Sequence, residues 1–177
     1  MKHLLILQLI IVDLIGFAAL VAAWPYVVMV FEADTSRICY AIVALWAFGK
    51  VSCYIRAVKV SRMLDASKTL LSPYNLLALR YKANKAEAKN DHIAKIATWL
   101  AMLGMFGTVV GLISMAMSLK GVAGDISNLT AAISQAFEGY GVALATTAVG
   151  LVAGLWIEVN GLFITTATSC LERDVAE

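Results

Sequence analysis

The sequence predicts an all-α membrane protein: four transmembrane helices and a short cytoplasmic helical segment. Three observations carry this. The chain is 61% hydrophobic and 15% charged over 177 residues, more apolar surface than a soluble domain of this length could hide. Its apolar runs are long: residues 96–119 and 139–157 hold no charge, 4–30 hold one acid, Asp13, and 38–55 hold one base, Lys50. About 20 apolar residues span a bilayer core, and a helix satisfies its own backbone there. Charge is also lopsided, with ten of the fourteen basic residues, against three acids, between Lys50 and Lys95. Positively charged loops stay inside, so 58–95 and both termini are expected to be cytoplasmic.

Taken in order, 1–57 reads as an N-terminal hairpin of spans one and two, joined by about seven residues, a usual length for helix–helix connections. Asp13 within the first run, and a run that continues past Ala23, argue against a cleaved signal peptide. Counting the helical rise from either end puts Asp13 and Lys50 at depths that agree within about one turn. Two unpaired charges there are costly. The expectation is an interhelical pair, a structural staple in which a charge swap recovers some of the stability lost by single neutralisation; the alternative is that Lys50 snorkels to the headgroups. The next segment, 58–95, is basic and rich in helix formers, with Ser72-Pro73 reading as a helix start. It is either a solvated helix leading into span three or a basic collar touching lipid headgroups or a partner.

Residues 96–165 form the core, spans three and four. Asp125 is a candidate cap before span four, and 166–177 reads as a short cytoplasmic tail. Trp24, Tyr26, Tyr40 and Tyr140 are placed at the outer interface, and Tyr54, Trp99 and Trp156 at the inner one. Three cysteines at different depths and two distant histidines form no disulfide framework and no metal site.

Within the core, Gly107, Gly111, Ser114 and Ser118 lie on one helical stripe. Ala143, Thr147, Gly150, Gly154, Glu158 and Gly161 lie on another. Such stripes let membrane helices approach closely. Thr108 and Thr147 fall at the middle of antiparallel spans, so their hydroxyls share a depth. Glu158, eleven residues after Thr147, returns almost to the same face. Threonine at the midplane and an acid at the inner mouth suit the lining of a cation path. The alternative is plain packing, with Glu158 an interfacial acid facing headgroups or the basic segment.

On these residues the chain resembles a known family. The stretch LGMFGTVVGLI, 103–113, resembles the third-helix signature of the MotA/TolQ/ExbB proton channel family, usually close to L-G-L-L-G-T-V-x-G-I. AISQAF followed by ALATTAVGLVAG resembles its final-helix signature, whose core is T-A-x-G-L with an asparagine downstream. The matching positions are Gly104, Gly107, Thr108, Gly111, Thr147, Ala148, Gly150, Leu151 and Asn160, and the resemblance covers 96–163. The Ala-Pro that usually precedes the first motif is Thr98-Trp99 or Leu100-Ala101 here, and the Ala-Ile-Pro after the second is Gly154-Leu155-Trp156. Without those prolines, spans three and four should run straighter. The small cytoplasmic segment and tail suit a compact, non-flagellar member.

The resemblance implies a homo-pentamer in the bacterial inner membrane, surrounding two copies of a MotB/TolR/ExbD-like single-pass protein. Ion flow, H+ or Na+, would then drive rotation, with no other cofactor and no nucleic acid. Gly104, Gly107, Gly111, Gly150 and Gly154 are expected to close the ring, with Thr108, Thr147 and Glu158 along the ion path. Thr146, about 100° from Thr147, should point to a neighbouring helix. Independently, spans three and four offer only hydroxyls at the midplane. These do not ionise near neutral pH, so if protons move they need an unbroken water wire or a carboxylate from another chain. Readings of other classes are a passive scaffold and a small cation-coupled transporter. No nucleotide-binding motif is present, and nothing suggests an enzyme.

Overall fold

The computed structural model describes residues 2–69, 73–120 and 129–176, all helix apart from short connections. Five helices follow in order: α1 (Lys2–Ala22), α2 (Trp24–Ala33), α3 (Ile38–Thr69), α4 (Pro73–Lys120) and α5 (Leu129–Ala176). Strands are absent among the described residues. Four stretches are long and apolar enough to cross a membrane: Leu5–Ala22, Ile38–Asp65, Asn90–Lys120 and Leu129–Cys170.

Several element boundaries differ from the sequence expectation. The first apolar run is divided at Ala23, where α1 gives way to α2. Pro25, at the start of α2, supplies the reason, since it has no N–H to donate and its ring crowds the carbonyl four residues back. The amides of Tyr26 and Val27 both turn to the Ala23 carbonyl, at 2.9 and 3.0 Å. The hairpin connection shrinks to 34–37. Span two runs on to Thr69 and span four to Ala176, so 58–69 and most of the expected tail continue membrane helices. Ser72 and Asp125, expected as helix caps, lie outside the described residues.

The connection between α2 and α3 is held by Asp34. Its carboxylate accepts the Cys39 amide at 2.7 Å and the Ser36 hydroxyl. The first turn of α3 thus gains an acceptor for an otherwise orphaned donor. Arg37 takes a left-handed φ of 59° to close the turn. Phe31 and Tyr40 meet edge to face across it, with ring centroids 5.4 Å apart. Burial alone would raise the Asp34 carboxyl. The bonds from Ser36 and Cys39 outweigh it and hold the group below the usual carboxylate range. Because the folded value is depressed, this contribution is whole above about pH 4 and fades as pH falls through the lower folded value. Asp34→Ala is expected to cost about 0.5–2 kcal/mol at neutral pH. The gap in melting temperature from the parent should close in acid. A gap that is absent at pH 7, or unchanged in strong acid, would contradict this cap.

The chain forms two compact units, one of Met1–Ala19, Ala47–Ala97 and Leu155–Glu177, the other of Leu20–Trp46 and Thr98–Gly154. They divide the chain differently from the sequence segments, because α1, α3, α4 and α5 each leave one unit and enter the other. In the first, α3 buries Cys53, Ala57, Val60 and Leu64, α4 buries Ile93 and Ile96, and α5 buries Ile157 and Ile164. The spacing of three and four residues gives each helix one inward stripe. In the second, α4 turns Leu103 partly inward and Gly104, Gly107 and Gly111 wholly so, the glycines against Gly139, Ala143, Thr146 and Gly150 of α5.

Candidate functional site

In the second unit, α4 and α5 touch backbone to backbone. A Cβ added at Gly111 would lie 2.5 Å from the Gly139 carbonyl oxygen, and one at Gly150 would lie 2.7 Å from that of Leu100. Gly104 rests on Thr146, Thr147 and Gly150, while Gly107 receives the Thr146 side chain. Four of the five glycines expected to close a ring are therefore consumed inside one chain, joining α4 to its own α5. Sequence stripes show that a helix has a close-packing face but not which helix meets it, and the antiparallel neighbour in the same chain takes it here. Gly154 is also buried. Gly139, whose backbone makes half of the Gly111 crossing, was not singled out. Its signal was the spacing to Ala143 and Gly150 on one face.

At this seam the structure brings Thr108 and Thr147 together, and their hydroxyls hydrogen-bond to each other. Each also faces two carbonyls: Thr108 lies 3.2 Å from Gly104 O and 3.4 Å from Ala143 O, and Thr147 lies 2.9 Å from Ala143 O and 3.4 Å from Gly104 O. The result is a nearly symmetric patch of four oxygens. Only the two hydroxyls carry protons, one each. Acceptors therefore outnumber donors, which suits a visitor that brings a proton or positive charge. Both side chains are half-buried, at the edge of the seam rather than inside it. Thr146 differs. It is fully buried, seated on Gly107, and its hydroxyl is bonded back to Val142 O at 2.8 Å.

The first unit holds a charged cluster. Lys50 Nζ is bonded to Asp13 Oδ1. The same oxygen accepts Trp156 Nε1–H at 2.9 Å and Asn160 Nδ2–H at 3.2 Å, and Asp13 Oδ2 accepts the Tyr54 hydroxyl. One carboxylate is thus ringed by four donors from α3 and α5. The Lys50 ammonium also stands over the Trp156 ring, 4.9 Å from a ring centroid, an attraction that strengthens out of water. Trp156 lies across Gly16, where any side chain would collide with its ring, and meets Phe17 edge to face at 6.0 Å. Tyr54 and Trp156, expected at the inner interface, turn their polar ends to this buried acid. The helical spacing of Lys50 with Tyr54, and of Trp156 with Asn160, was the available signal.

Glu158, two residues before buried Asn160, is exposed. Elsewhere in this unit Ser52 Oγ lies 2.6 Å from His92 Nε2, and Asn90 Nδ2 donates to Thr168 Oγ1 at 3.2 Å. Among the described residues no group of three or more His, Cys, Asp or Glu side chains could hold a metal.

The glycine seam and the hydroxyl pair lie within the stretch of the chain that a family model matches. The family model described as the MotA/TolQ/ExbB proton channel family matches residues 76–167. No curated protein and no solved structure matches the chain.

Proposed function

Because the chain belongs to the MotA/TolQ/ExbB proton channel family, we propose that it is the ring-forming subunit of an ion-driven, energy-transducing complex of the bacterial inner membrane. Charge asymmetry places 58–95 and both termini on the cytoplasmic side. Five copies surround two copies of a single-pass partner whose transmembrane carboxylate carries the proton, or accompanies Na+. The glycine seam is spent within each subunit, so the ring closes through other faces. Those available are the outward apolar residues of α4, among them Met105, Phe106, Val109 and Ile113, all exposed in the single chain.

The observation that carries this reading is the four-oxygen patch at Thr108 and Thr147. A protonated carboxyl can donate to it, and a cation can be coordinated by it. Once the proton leaves, the carboxylate finds only two hydroxyl protons and is released easily. An opposing lysine would hold it instead. Glu158, exposed and acidic, would gather cations at the inner mouth.

The test is a matched set of valine substitutions, each keeping shape while removing one hydroxyl. With the partner co-expressed and complex levels equal to the parent, Thr108→Val and Thr147→Val should each reduce ion flux at least several-fold. Thr146→Val should change it little, since that hydroxyl is turned back onto its own helix. Equal tolerance of all three would favour a passive scaffold. Flux that survives without any single-pass partner would favour a self-contained transporter.

A further inference from the structure

The exposed side of α3 changes character once along its length. Val51, Ile55 and Val58 are exposed and apolar, and Lys59 and Arg62, which follow on that side, are exposed and cationic. Positions 51, 55, 58 and 62 recur every three or four residues, so they form one stripe, away from the buried Cys53, Ala57, Val60 and Leu64. The acid on this side, Asp65, comes a turn further on.

The neighbouring α4 adds to the cationic band. Ser52 Oγ lies 2.6 Å from His92 Nε2, and a Cβ added at Gly49 would lie 3.0 Å from Ile96. The two helices therefore run antiparallel, with Ser52 level with His92. Seven residues on from Ser52 stands Lys59, and seven back from His92 stands Lys85. Both helices rise equally per residue, so the two lysines share a level. Lys85 is exposed, and its ammonium lies 5.9 Å from the Tyr81 ring centroid. No ion pair among the described residues uses Lys59, Arg62 or Lys85. Like charges gathered in one band repel, and an anion among them relieves that.

The surface as a whole selects the anion. A soluble anion or a nucleic acid would satisfy the cations and leave the apolar stripe uncovered. A second copy laid on this face with the same face would set lysine against lysine. An anionic amphiphile covers both parts at once. Lys and Arg at the inner surface of a membrane attract anionic lipid, and their stems lie along apolar surface while their heads reach the phosphates.

We propose that Lys59, Arg62 and Lys85 form a headgroup site for an anionic phospholipid, whose acyl chains run along Val51, Ile55 and Val58. Its place in the inner leaflet rests on the cytoplasmic position of 58–95 proposed above.

The experiment is native mass spectrometry of the intact complex in detergent, titrated with phosphatidylglycerol or with phosphatidylcholine of the same chains. Each Lys or Arg near an anionic surface contributes about a fivefold factor, so phosphatidylglycerol should bind at least about fivefold more tightly. Lys59→Gln, Arg62→Gln and Lys85→Gln together should bring it down to the phosphatidylcholine level, while Lys59→Arg with Arg62→Lys should keep the preference. Equal binding of the two lipids by the parent, or a preference that survives the triple glutamine variant, overturns the proposal. Effective competition by glycerophosphoglycerol, the headgroup without chains, also overturns it and makes this a soluble-anion site. Should the glutamine variant fail to assemble, the parent decides through acetylation of Lys59 in nanodiscs, expected to be slower in phosphatidylglycerol than in phosphatidylcholine. Equal rates, or protection in phosphatidylcholine that needs the single-pass partner, count against the lipid. None of these readouts involves ion flux, so their failure and that of the threonine mechanism are separate results.

Discussion

Gly111→Val is expected to yield almost no monodisperse protein in detergent, and Gly111→Ala to melt far below the parent. Even one methyl would stand 2.5 Å from Gly139 O and 2.6 Å from Ala143 N. Both are backbone atoms, so no rotamer change relieves the clash and α4 must part from α5. Overpacking commonly costs about 1–3 kcal/mol where side chains can yield. Here the seam itself opens, and the Thr108 and Thr147 pair with it, so the loss should reach or exceed the top of that range. Gly141→Ala is the control. Its nearest neighbour is the Ala33 methyl at 3.7 Å, and alanine gains up to about 1 kcal/mol of helix propensity over glycine. Fluorescence-detected size-exclusion and thermal melts read both. A Gly111→Ala protein as stable as the parent would show that the helices do not meet as described.

Comparable in size is the effect of Asp13→Asn. It leaves Lys50 without its counter-charge in the first unit, and breaking a buried pair by removing one partner costs about 3–5 kcal/mol. The double variant Asp13→Asn, Lys50→Met removes both charges and should recover most of the loss. A simple charge swap should recover little, less than the sequence alone suggested. Trp156, Asn160 and Tyr54 all present donors to position 13; a lysine there loses all three bonds, and the Trp156 N–H, which cannot accept, faces it donor against donor. Melting curves of the parent, single, double and swapped proteins decide this. A swap that restores stability, or an Asp13→Asn protein indistinguishable from the parent, would refute the cage as the source of the staple's strength.

The swap shows where sequence reading stops. Four spans could be read from composition because hydropathy over a membrane-length window is a bulk property. Thr108 and Thr147 could be placed at one depth because a helix rises by a fixed amount per residue. Depth says nothing of azimuth, however. Trp156 at a span's end looked like an interfacial anchor, and only the packing of α1 shows it lying on Gly16 with its N–H on Asp13. The break at Ala23 was missed because Pro25 sits in a run whose apolar neighbours dominate any average. The glycine stripes were visible as close-packing faces, but a stripe does not name its partner.

The Gly111 crossing also has a genetic consequence. Damage at Asp13 can be repaired elsewhere, since losing the charge at Lys50 removes what was left unbalanced. Damage at Gly111 leaves no such route. The atoms it strikes belong to Gly139 and to the main chain at Ala143, and no smaller residue exists to put in place of a glycine. A search for second-site revertants should therefore find them readily for the charged cluster and not within the seam. Over evolutionary time the two sites would drift differently, one as an exchangeable set of charges, the other as a fixed point around which the helices are laid.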